Sequence, residues 1–147
     1  MWDEIEEKVA HDGHMAGVTR TRERVGLTAE VFTPAALVVD MLRRMPLEAF
    51  EPGKTVLDPA CGDGNFLVAA KWIKILKFGM SEQDALSELY GVDIMRDNVD
   101  RAKDRLGGGT IVMGNTLDPT SQLEFQTEDE RAVMVELFAD GAQETLF

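Results

Sequence analysis

The stretch VLDPACGDGNFLVAA, residues 56–70, limits the folds open to this chain more than any other part of it. A short apolar run stops at Asp58, two glycines follow within six residues, and an apolar run of helical length begins near Asn65. Strand, glycine loop, helix is an arrangement in which a backbone can approach a ligand closely. Gly62 and Gly64 carry no side chain and adopt positive φ without strain. The helix opening near Asn65 aims its unpaired N–H groups into the same cleft. The third glycine of the dinucleotide fingerprint is missing, because position 67 is Leu. Asp58 and Asp63 also disfavour a pyrophosphate and favour a cationic, phosphate-free ligand.

Around this stretch the pattern alternates. LYGVDI is a second strand, ending at Asp93, and TIVMGN, from Thr110, is a third. Asn65–Phe78 reads as a helix capped by Gly79, with Lys71, Lys74 and Lys77 as its wet face. Ser81 and Asp84 resemble a capping box opening a short helix through Leu89. DNVDRAKDRL is amphipathic, with Val99, Ala102 and Leu106 inward, and Gly107 to Gly109 close it. Upstream, Thr33 suits an N-cap and Pro34 the first helical position. Leu37, Val38, Met41, Leu42 and Met45 follow at helical spacing, and Pro46 ends the run. DEIEEKVAHDGH is a short helix that Gly13 interrupts. Arg20, Arg22 and Arg24 fall on alternate residues, as a solvated loop or a phosphate-contacting edge. RAVMVELF fits either a fourth strand or a turn of amphipathic helix, and periodicity does not choose.

Strands alternating with helices predict an α/β domain whose parallel sheet of three to four strands carries helices on its faces. Ligands in such folds bind outside the carboxyl ends of the strands. A sheet this small leaves an edge after its last strand, and exposed edges are usually covered. Dimerisation, a partner subunit, or packing of residues 123–138 would each cover it.

Composition narrows the functions. The length fits one domain. The net charge is −12, and from Thr116 onward there are eight acidic residues and one basic. A protein that grips DNA alone normally has a basic footprint, so DNA binding is only weakly supported. Cys61 is the one cysteine, which fits a reducing, cytoplasmic location and a packing role rather than a nucleophile. His11 and His14 are too few and too loosely spaced for a metal site. No apolar run approaches the roughly 20 residues that span a bilayer, so no membrane association is expected.

Asp93, an acid ending the second strand, is placed to hold two ribose hydroxyls. A nucleoside with a cationic tail describes S-adenosylmethionine better than NAD. At this point the residues carry a resemblance. LDPACGDGNFL resembles the first motif of the adenine-specific (N6) DNA methyltransferases, Asp-Pro-Ala-Cys-Gly-x-Gly-x-Phe. EVFTPAALVVDML is similar to the motif preceding it, YGVDIMRDNV to the second, and VMGNTL to the third, in order across residues 29–118. Short phage-type subunits of restriction-modification methylases are similar over their whole length.

The resemblance implies a Rossmann-like methyltransferase fold with a reduced sheet, over residues 29–118. Residues 1–28 would form an N-terminal helix and basic segment, and 119–147 an acidic tail docked on the sheet edge or a partner. It further implies a set of cofactor contacts. Phe32, Thr33 and Pro34 would border the methionine end. Asp58 and the backbone of Ala60, Gly62 and Gly64 would hold the amino-acid moiety, with Phe66 under the loop. Asp93 would bind the ribose and Ile94 the adenine face, while Asn115 and Thr116 would meet the adenine edge. The family more often has Asp at the position of Asn115.

One motif is missing. The family places Asp/Asn-Pro-Pro-Tyr/Phe after its fourth strand, to hold the target amine and stack on a flipped base. This sequence has no Pro-Pro pair. Asp118-Pro119 lies too close behind the third strand, and Ala139-Asp140-Gly141 lacks the prolines and the ring. Catalytic residues are therefore unassigned. Two functions remain: a methyltransferase of exocyclic amines, alone or as the cofactor half of a split enzyme, or a non-catalytic cofactor-binding or interaction module.

Overall fold

The computed structural model describes residues 1–12 and 33–139. Three strands, β1 (Val56–Asp58), β2 (Leu89–Asp93) and β3 (Thr110–Met113), form one parallel sheet in the order β1-β2-β3. Asp58 pairs with Gly91 and Asp93 with Met113, so all three carboxyl ends open on one side of the sheet. The described helices are α1 (Trp2–Asp12), α2 (Ala35–Arg43), α3 (Asn65–Phe78), α4 (Glu82–Ser87), α5 (Arg96–Leu106) and α6 (Glu128–Phe138).

Strand side chains alternate between two faces. Val56, Leu89 and Ile111 enter a core shared with α1, α2, α3 and α5. Leu57, Val92 and Val112 face the other way, onto Met134 of α6. Both faces are covered, which is why these strands read as continuous apolar runs. The result is an α/β, Rossmann-like fold with a reduced sheet, as the alternation predicts. Among the described residues, no helix is long and apolar enough to cross a membrane.

Several local expectations are corrected. Pro34, not Thr33, is the N-cap of α2, and its buried face is Val38, Val39 and Leu42, leaving Leu37 and Met41 exposed. The helix α4 ends at Ser87, so that Leu89 can open β2. Lys71 and Lys74 are buried; only Lys77 of the three is exposed. The Nζ of Lys74 donates to the carbonyls of Phe50 (3.3 Å) and Lys54 (2.7 Å) and pairs with Glu88 (2.8 Å). Lys71 donates to the carbonyl of Leu106 (3.0 Å), where α5 ends and a cation is favourable. Each ammonium tolerates burial because acceptors surround it.

RAVMVELF is helical. Thr127 and Glu130 form a reciprocal capping box at its start, and Val133, Met134, Leu137 and Phe138 bury at helical spacing. Ala139-Asp140-Gly141 therefore does not follow a strand; Asp140 onward, like residues 13–32 with Arg20, Arg22, Arg24 and His14, lies outside the described residues. Glu130 also reaches β3. It accepts from the N–H of Met113 (2.9 Å), while Gln126 donates to the Met113 carbonyl (2.8 Å). Side chains of Gln126 and Glu130 thus cap the outer edge of β3 at Met113, its last residue, in place of another strand.

Candidate cofactor site

The loop after β1 is held mostly by its own backbone. Cys61 N–H donates to Val92 O (2.8 Å), extending the β1–β2 ladder, and Gly64 N–H donates to Cys61 O (2.8 Å). Gly62 N–H donates to Asp93 Oδ2 (2.9 Å), and Ala60 N–H to Asp58 Oδ1 (3.1 Å). The N–H groups of Ala60, Gly62 and Gly64, whose backbone is expected to hold an amino-acid moiety, are thus already engaged within the protein. Gly64 sits at φ +94°, and a Cβ there would lie 3.1 Å from Leu106 and 3.3 Å from Ala102. Its small size lets α3 start against α5.

What the loop offers a ligand is negative charge. Burial pushes the Asp58 carboxyl up from 3.8 to about 6; the Ala60 N–H opposes this and the nearby Asp93 charge adds to it. Asp63, expected to share this field, is instead buried and paired with Arg105 at 3.2 Å. The thiol of Cys61 is pushed well up by burial and then by Asp58 and Asp93, which leaves it inert as a nucleophile.

Over the strand ends lies a cleft of about 330 Å³, lined by Pro59 and Ala60 after β1, Asp93 and Ile94 after β2, and Gly114 to Leu117 after β3. That volume falls within the range of small-molecule sites. The carboxylate of Asp93 is oriented by Gly62 N–H, by Met95 N–H (2.9 Å) and by Asn98 Nδ2 (3.1 Å). Asn115 Oδ1 accepts from Leu117 N–H (3.0 Å). Thr116 Oγ1 donates to Pro59 O (2.6 Å), tying the β3 turn to the β1 loop. A Cβ at Gly114, beneath this turn, would push against the side chain of Met134 and force it to move. A larger cleft, about 590 Å³, lies between α4 and Gly107–Gly109, where β3 begins. It contains none of the expected residues.

The structure thus brings Ala60, Asp93, Ile94, Asn115 and Thr116 into one cleft, with Asp58 and Gly62 directly behind it. Thr33 is joined to the loop's far end, where its carbonyl accepts from Asn65 Nδ2 (2.6 Å). Pro34 and Phe66 do not line the cleft; Phe66 is half-buried against the main core. Phe32 lies outside the described residues. Asn98, Asn65 and Arg105 also hold this region together, with no functional signal in the sequence. All three sit at helix ends, where a polar residue ordinarily signals only solvent or a cap.

The family model for N-6 DNA methylases matches residues 19–103. That span holds β1, the glycine loop and β2, and stops before β3. No curated protein and no solved structure matches the chain. The matched span is more than half of the sequence and contains the loop and both aspartate-ended strands, so the chain belongs to the N-6 DNA methylase family.

Proposed function

We propose that the chain binds S-adenosylmethionine over the strand ends and acts as the cofactor half of an adenine-directed DNA methyltransferase. The observation that carries this reading is Asp93 on the wall of a cleft over the strand ends, with the carboxylate of Asp58 bonded to Ala60 N–H just behind that wall. The residues fit the group: a carboxylate that burial disfavours is relieved by a bound cation. When bound, S-adenosylmethionine supplies an electrophilic methyl group.

Asp58 lies toward the ammonium end, and Thr33, tied to Asn65 at the loop's far end, lies toward the methionine side. Asp93, oriented by Gly62, Met95 and Asn98, presents its carboxylate to the ribose hydroxyls. Ile94 lies against the adenine, and the amide NH₂ of Asn115 donates to a ring nitrogen, since its oxygen is already engaged. Ala60, Gly62, Gly64 and Phe66 shape the loop, and Thr116 tethers the far wall.

The target-amine residues come from elsewhere, on a partner subunit of different sequence. The sequence has no Pro-Pro pair, and among the described residues no strand pairs beyond β1. With the edge of β3 capped, β1 is the edge left for a strand carrying that motif. The net charge of −12 favours the second reading, a non-catalytic module in the cytoplasm that keeps only the cofactor site.

Calorimetry with S-adenosylhomocysteine tests the cofactor site, and transfer of labelled methyl to unmethylated DNA, with and without co-purified partners, separates the two readings. Asp93→Ala should weaken cofactor binding by about 1–3 kcal/mol. Unchanged affinity in the folded variant removes the ribose role. A strictly monomeric mass, with methyl transfer by the chain alone, contradicts the split enzyme.

A further inference from the structure

Arg105, on the last turn of α5, is buried and reaches three separate elements. Its Nη1 donates to the Asp63 carbonyl (2.8 Å) and to Asn65 Oδ1 (2.7 Å), and its Nη2 donates to the carbonyl of Val9 in α1 (3.0 Å). Asn65 in turn donates to the carbonyl of Thr33 (2.6 Å). One guanidinium and one amide therefore hold the glycine loop between Gly62 and Gly64. They also hold the N-terminal helix at Val9 and the approach to α2 at Thr33.

Arg105 thus joins the loop and α1 directly. Gly62 donates to Asp93, so whatever settles on Asp93 bears on the loop from the front, while Arg105 bears on it from behind. We propose that Arg105 and Asn65 form a positioning clasp that couples docking of α1 to occupancy of the cofactor cleft, each strengthening the other. Coupling of this kind is reciprocal: a ligand that fixes the loop also fixes α1, and loosening α1 weakens the ligand. Arginine suits the position because its planar fork sets donors on separate nitrogens, which reach acceptors in different elements that one ammonium point would not span. This inference rests on the cofactor reading above.

The test measures S-adenosylhomocysteine affinity and hydrogen exchange of α1 amides, residues 5–9, with and without saturating S-adenosylhomocysteine. In the wild-type chain the ligand should slow exchange in α1. Arg105→Gln should weaken binding about tenfold and abolish that ligand-dependent protection, with Arg105→Lys recovering only part. A merely structural arginine would speed α1 exchange equally in both states and leave the ligand's effect intact. Should Arg105→Gln fail to fold, Ile5→Ala loosens α1 from within its buried face and should weaken binding by the reciprocal route. Wild-type α1 exchange indifferent to bound ligand, or wild-type affinity in folded Arg105→Gln, overturns the clasp. Absence of binding to the wild-type chain overturns the cofactor reading as well, and shows before any variant is compared.

Discussion

Asp58→Asn should make the protein more stable and a worse ligand binder. The carboxyl is buried, 8% exposed, and sits at about 6 against an ordinary 3.8. A carboxyl raised by folding is ionised in the native state only at a cost. Stability is therefore highest when pH is below about 4 and falls as pH rises through about 6. The difference between those values corresponds to about 3 kcal/mol near neutral pH, shrinking to about 1 kcal/mol near pH 4.5. Asparagine keeps an oxygen for the Ala60 N–H and removes the charge. Urea denaturation of both proteins at about pH 7.5 and 4.5 should show the variant ahead at the higher pH, with most of its lead gone at the lower. On the proposed cofactor reading, affinity should fall as well, because the variant removes a negative charge near the bound cation. A variant less stable than wild type at neutral pH, or a lead that does not change with pH, refutes the account of Asp58 as a carboxylate whose ionisation burial opposes.

Two further outcomes concern the scaffold. Burial opposes ionisation of Glu130, but the Arg96 fork and the Thr127 and Met113 N–H groups outweigh it and hold its carboxyl at about 2. Its stabilisation is complete above about pH 4.5 and lost as pH falls toward 2, and Glu130→Gln should cost about 2–3 kcal/mol at neutral pH by urea titration. Lys74→Met strips Glu88 and the Phe50 and Lys54 carbonyls of their shared donor, and should cost about 3–5 kcal/mol, with Glu88→Gln in that background recovering part. A loss below about 1 kcal/mol at either site would contradict the burial described for it.

The strands and the glycine loop were legible because local signals and tertiary position agree there. The runs ending at Asp58 and Asp93 are apolar on both faces, and Gly79 and Gly107 are left-handed caps that the chain announces. The lysines of α3 were not legible. Spacing of three makes Lys71, Lys74 and Lys77 look like a solvated stripe, and only the carbonyls gathered from residues 50, 54 and 106 make two of them interior. RAVMVELF was ambiguous by periodicity, yet Thr127 with Glu130 three residues on was a capping signal present in the sequence. Within the site, Asp93 and Asn115 announce themselves by following strands. Arg105 does not, because its partners come from positions 9, 63 and 65, far away in the chain.

The most direct test of the central claim is titration of the purified protein with S-adenosylmethionine by calorimetry, with NAD as control and Asp93→Ala alongside. Saturable binding of S-adenosylmethionine, none of NAD, and loss of affinity in the variant is the result expected of a cofactor cleft over these strand ends. A folded wild-type protein that binds neither contradicts it, and leaves the glycine loop and its two aspartates as parts of a scaffold.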